Sequence, residues 1–191
     1  MSERSETEIN PSADSAAARL CSACGLCCNG VLFHTVKMQP GDSPKALGAL
    51  GLKLKRKSGA RYLLQPCPAF CGTHCSIYAA RPERCRVFEC RQLKRLAAGE
   101  IDESAALENI LEARRRVAEL EDLLQKCGRT NPKRPLSKRC EKATAEPITA
   151  SSEPADIEFR DRLTHAMREL DSLLDREFRI QPSLVPDTAE S

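Results

Sequence analysis

The chain has 191 residues, with 30 Lys and Arg against 27 Asp and Glu for a formal net charge of +3, no Trp, two Tyr, five Phe and eleven Cys. So small a basic surplus, which thiolates on a metal would offset further, makes no electrostatic case for nucleic acid. The scarcity of large rings excludes a core built on aromatic packing, so the cysteine-rich part needs cross-links of another kind.

Residues 1–19 are polar and rich in Ser, Ala and Glu, which predicts a disordered tail and neither a secretory signal nor a transit peptide. No window approaches the roughly 18 apolar residues of a membrane span, so the expected compartment is the cytoplasm and no membrane partner is expected. Residues 20–98 form the cysteine-rich segment. Asp42 is its expected first N-cap, with Pro44 just inside a short helix through Leu50 and Gly51 as the stop. In "LKLKRKSGARYLL", Leu52 and Leu54 alternate with lysines, the chain turns at Ser58-Gly59, and Tyr62 and Leu64 resume the pattern, which predicts a hairpin. The lysines there read as its solvated face. Pro82 suits a first helical turn and Gly99 a stop, so residues 83–97 are expected to be one helix carrying Cys85 and Cys90.

A long helix is predicted within 99–128, capped by Asp102, with Leu107, Ile110, Leu111, Val117, Leu120 and Leu124 on its apolar face. Residues 129–155 carry four prolines among Ser, Thr and Lys and read as a flexible linker. In 156–178, Leu163, Met167, Leu170, Leu174 and Phe178 recur at spacings of three or four, which predicts an amphipathic helix that packs on the first long helix or on another chain. Residues 179–191 are a second tail. The fold class is therefore α+β, a small irregular cysteine-rich metal-binding domain with a short hairpin, followed by a helical extension through which a protein partner could dock.

The chemistry lies in the thiols. "CSACGLCC" places four cysteines in eight positions, and "CPAFCGTHCSIYAARPERCRVFEC" supplies five more. In a reducing compartment such clusters are metal ligands rather than stable disulfides. Cys21 and Cys24 flank a turn whose small Gly25 lets backbone N–H groups point at sulfur, as in a metal knuckle. With Cys27 the run becomes C-x2-C-x2-C, the spacing with which three thiolates grip one iron-sulfur cluster while a distant cysteine supplies the fourth bond. Adjacent Cys27 and Cys28 point to opposite sides of an extended chain. Cys85 and Cys90 sit roughly 140° apart on a helix of 3.6 residues per turn. Cys27 and Cys28 therefore do not suit a single mononuclear ion, and for Cys85 and Cys90 either the helix starts late or the two thiols serve different metals or different edges of a cluster.

"CSACGLCC" followed by "PCP", "CSIY", "RPERCR" and "FEC" resembles the bacterial C-x2-C-x2-C-C cysteine-cluster family, to which zinc or iron chelation is ascribed and which includes flagellin lysine methylase-like iron-sulfur proteins. The resemblance implies Cys21, Cys24, Cys27, Cys28, Cys67, Cys75, Cys85 and Cys90 as metal ligands, with Arg81, Pro82 and Arg86 in the family's Arg-Pro-x-x-Cys-Arg stretch. Cys71 departs from that pattern. Cys127 and Cys140 lack ligand spacing and read as incidental thiols. His34 and His74 lie near the cysteines but are not needed as ligands, and Arg81, Arg84, Arg86 and Arg91 read as charges that offset anionic thiolates.

The expected cofactor is an iron-sulfur cluster, favoured by the C-x2-C-x2-C run and the surplus of cysteines, or zinc, for which a CxxCG knuckle is equally suited. Three functional classes follow. These are electron transfer or metal handling, a zinc-stabilised interaction module, and a cluster-dependent enzyme acting on protein side chains. No catalytic constellation is present in the sequence, so methylase-like activity rests on the resemblance alone, and no Gly-rich strand-to-helix fingerprint for a methyl donor is found.

Overall fold

The computed structural model describes residues 15–72, 74–128, 131–145 and 153–180. Those residues form seven α-helices and one three-stranded antiparallel sheet, an α+β arrangement with the cysteines toward the N-terminus and the helices toward the C-terminus.

Helix α1 spans Ala16–Cys24 and is capped by Ser15, whose Oγ accepts from Ala18 N–H at 3.1 Å. It begins inside the segment expected to be a disordered tail. Its buried Ala18 and Leu20 supply the reason, since they give a short polar segment something to bury. Residues 1–14 of that expected tail lie outside the described residues. Helix α2, Pro44–Ala49, forms as expected, but its cap is Ser43, which accepts from Ala46 N–H. Asp42 instead accepts from Gln39 N–H at 2.9 Å and, across the fold, from Glu83 N–H at 2.8 Å.

The predicted hairpin is present as β2, Leu54–Lys57, and β3, Ala60–Leu64, joined through Ser58 and Gly59, both with positive φ, the pairing that a two-residue turn of this hand demands. A third strand, β1 at Thr35–Lys37, pairs with the other edge of β3 to give the order β1-β3-β2. Val36, Leu63 and Leu54 stand opposite one another across the sheet, and Leu63 is 4 % exposed. With Leu47, Leu52 and Ala69 it makes a small core under the sheet.

The helix expected over 83–97 is broken in two, α3 at Glu83–Val87 and α4 at Arg91–Ala97. At the break Phe88 is extended and packs edge-on against Phe33, ring centroids 5.0 Å apart. That aromatic contact outweighs the local helical preference.

Helix α5, Glu103–Lys126, is capped by Asp102 as predicted, its Oδ1 accepting from Ala105 N–H at 2.8 Å. Its buried face is Ala106, Ile110, Ala113, Leu120, Leu123 and Leu124, whereas Leu107 and Leu111 of the expected stripe are 37 % and 57 % exposed. The small residues win because they let the neighbouring helices approach closely. Helix α6, Leu136–Thr144, lies inside the expected flexible linker, and burial of Leu136, Arg139 and Cys140 accounts for it. Residues 129–130 and 146–152 of that linker, and 181–191 of the C-terminal tail, lie outside the described residues. Helix α7, Pro154–Glu177, packs its Leu163, Leu170 and Leu174 against α5 of the same chain. No helix among the described residues is long and apolar enough to cross a membrane.

Polar ties fix α1 and α4 to this bundle. Arg19 pairs with Glu103 at 2.7 Å, Arg114 donates to the Ala23 carbonyl at 2.5 Å, and Gln92, 1 % exposed, donates to the Glu177 carbonyl at 2.8 Å.

Candidate metal centre

Seven thiols, Cys21, Cys24, Cys27, Cys28, Cys75, Cys85 and Cys90, line one cavity of about 350 Å³ whose walls include Leu26, Phe70, Phe88 and Ile110. Cys67 stands next to this set, its N–H donating to the Cys28 carbonyl at 2.7 Å. Each thiol is held by an identifiable local device. Cys21 and Cys24 occupy the last turn of α1, which ends at Gly25 in the left-handed conformation with its N–H on the Cys21 carbonyl at 3.2 Å. Glycine is favoured there twice over, because φ is +66° and a Cβ would come 2.3 Å from Phe70 Cζ at the tip of its ring. The chain then turns through Cys27 and Cys28, with Cys28 and Asn29 N–H groups both on the Gly25 carbonyl at 2.9 Å.

Cys67 opens a turn closed by Phe70 N–H on its carbonyl at 3.1 Å, and Cys75 pairs back with Phe70 in a single β-bridge. Cys85 lies in α3. Cys90 sits at the N-cap of α4, where helix N–H groups lack backbone partners.

Burial dominates the electrostatics. It pushes Cys24 and Cys28 up to about 12 and Cys21 and Cys85 to about 11, and Cys27 well above its ordinary value. Cys67 and Cys90 are raised by the same cause. Backbone N–H groups oppose it, from Leu26 at Cys24, from Ala69 and Phe70 at Cys67, and from Leu93 and Gln92 at Cys90. Such N–H groups favour the thiolate, as does the guanidinium of Arg81, which lowers both Cys21 and Cys85. Arg81 is itself fixed, 3.6 Å over the Tyr78 ring with its Nε on the Tyr78 carbonyl at 3.1 Å.

The donor set fits a soft metal. Thiolates select zinc and iron-sulfur clusters, and a cation supplies the charge compensation that burial denies these thiols. The residues stand around the cavity wall rather than meeting at one point. Among the described residues no three Cys, His, Asp or Glu side chains converge as closely as the ligands of a single ion. The thiols nonetheless raise one another's values, so they lie within charge-coupling range.

The remaining candidates separate cleanly. Cys71 is exposed and does not line the cavity. Cys127 is exposed and Cys140 is fully buried among α5, α6 and α7. His74 lines the thiol cavity, whereas His34 bonds Ser137 at 2.7 Å and lines a different cleft. Arg84 lines the cavity with Arg81, while Arg91 bonds the Arg176 carbonyl at 2.5 Å and so holds α7. Sequence reasoning missed Phe70 as a wall and Asp42 as the anchor of α3. Nothing in the local pattern announces either contact, which joins residues far apart in the chain.

Residues 20–109 match the CxxCxxCC family, described as "Putative zinc- or iron-chelating domain". No curated protein and no solved structure matches the chain. The cysteine-bearing segment, residues 20–109, is thus similar to the CxxCxxCC domain family, and the chain from Ile110 of α5 onward lies beyond the match.

Proposed function

We propose that Cys21, Cys24, Cys27, Cys28, Cys67, Cys75, Cys85 and Cys90 chelate metal as thiolates, that the bound group is an iron-sulfur cluster, and that the protein transfers electrons or handles metal in the cytoplasm. The observation that carries this reading is the cavity of about 350 Å³ with seven thiols spread over its wall. A lone zinc ion draws its sulfurs to about 2.3 Å and leaves no such space between them. A cluster is a larger body gripped from several sides.

When bound, a cluster supplies one-electron redox chemistry. The chain's own residues would set its environment. Leu26, Phe70, Phe88 and Ile110 keep the wall apolar, the N–H groups of Leu26, Ala69, Phe70, Gln92 and Leu93 point at sulfur, and Arg81 offsets negative charge. Burial, hydrogen bonds to sulfur and net charge are the levers by which a protein tunes a cluster. A zinc-stabilised interaction module is the second reading, supported by the CxxCG knuckle at the end of α1.

Anaerobic purification of the full chain with metal, acid-labile sulfide and visible absorption measured together is the test. Iron with sulfide and a broad charge-transfer band that bleaches on reduction is the expected result. A colourless protein with stoichiometric zinc replaces the first reading by the second, and a protein free of both metals overturns chelation itself.

A further inference from the structure

We propose that the eight cysteines are divided into two separate four-thiolate metal centres, Cys21, Cys24, Cys27 and Cys90 in one and Cys28, Cys67, Cys75 and Cys85 in the other. This rests on the chelation reading above and adds the number of centres and the membership of each.

The division follows the packing. Cys24, Cys27 and Cys90 lie against the large core, to which α1 contributes Leu20, the following turn Leu26, and α4 Leu93. Cys67 and Cys75 lie against the other core, the small one under the sheet. Adjacent Cys27 and Cys28 are thus parted. Cys27 packs toward the helices, while the Cys28 backbone is tied to Cys67 by the 2.7 Å hydrogen bond.

Cys85 and Cys90 are parted in the same way by the break at Phe88. Cys90 caps α4, which belongs to the helical side. Cys85 rides on α3, whose first N–H is held by Asp42 immediately before α2, and α2 supplies Leu47 to the small core. One helix running unbroken would have placed both thiols on the same rigid rod.

The arithmetic of ligation agrees. A tetrahedral ion and a cubane or rhombic cluster each take four protein thiolates, so eight make two complete sets. In the first, the C-x2-C-x2-C run takes its fourth ligand from a distant cysteine, Cys90.

Cadmium is the probe, since it enters four-thiolate sites and its nucleus couples through the bond to cysteine β-protons. The full chain loaded with cadmium should show two resonances by cadmium NMR, one coupled to Cys21, Cys24, Cys27 and Cys90 and the other to Cys28, Cys67, Cys75 and Cys85. A single cadmium coupled to both Cys27 and Cys28, or to both Cys85 and Cys90, overturns the division while leaving chelation intact. A chain that takes up no cadmium overturns chelation and the division together. Substitution gives a second reading on the native metal. Cys90→Ser and Cys85→Ser should each retain about half of the wild-type metal and the double variant none. Loss of all metal from either single variant, with its helical circular dichroism unchanged, also overturns the division.

Discussion

Leu120, Leu124, Leu163, Leu174 and Phe178 are each no more than 1 % exposed in the core of the helical extension, whereas the core under the sheet consists of Leu47, Leu52, Leu63 and Ala69, at 4–7 %. Each fully buried large apolar side chain contributes about 1.5–3 kcal/mol. The helices therefore hold their geometry by burial, and the sheet with α2 and α3 has too little of it to do the same. Cys67 and Cys75 pack against that small core. Under the chelation proposed above, metal-binding energy would stand in for part of that core.

Metal removal should break the comparison most visibly. A strong chelator under reducing conditions should raise amide exchange across 35–37, 54–64 and 67–87 to the rate of the unfolded chain, while α5 and α7 stay protected. Equal protection of both regions after complete metal loss would show that the small core suffices. The complementary change is Leu163→Ala, at a fully buried position. It should cost about 2–5 kcal/mol of stability in denaturant titration and leave metal content unchanged.

Cys140 and Cys127 sharpen the same contrast between the proposed ligand thiols and packing thiols. Cys140 is 0 % exposed and raised to about 12 by burial. Cys140→Ser, which sets a hydroxyl in that core, should lower stability by about 1–3 kcal/mol without loss of metal. Exposed Cys127→Ser should change neither quantity. Metal lost from Cys140→Ser would move that residue into the ligand set.

The smallest effect is electrostatic. Hydrogen bonds from Arg115 and Arg116 hold Glu112 down to about 2, and Arg116 also reaches Glu169 of α7 at 2.9 Å. A carboxyl whose folded value is depressed contributes above its unfolded value, and that contribution is lost as pH falls toward the folded one. Glu112 is fully solvent-exposed, so screening keeps the contribution small. The difference in thermal midpoint between wild type and Glu112→Gln should be slight at neutral pH and should narrow from about pH 4 downward. A gap that widens on acidification would assign the effect to another group.

Much of the architecture was legible in the chain. The three-to-four spacing of Leu163, Met167, Leu170 and Leu174 and the cap at Asp102 announced α7 and α5, because helix periodicity and capping are local properties. Ser58-Gly59 announced the hairpin for the same reason. Other elements were not legible. Strand β1 has only three residues and owes its existence to the edge of β3. Helix α6 looks like linker until Leu136 and Cys140 find a core to enter. The division of 83–97 depends on Phe33, far away in sequence.

The candidate site divides along the same line. Cysteine spacing and the knuckle at Gly25 belong to the chain, since a thiolate is a soft ligand wherever it sits and a tight turn needs glycine whatever surrounds it. Which core each thiol packs against belongs to the fold. The thiol cavity is lined by residues brought together across dozens of positions, and no local pattern specifies which of them will meet.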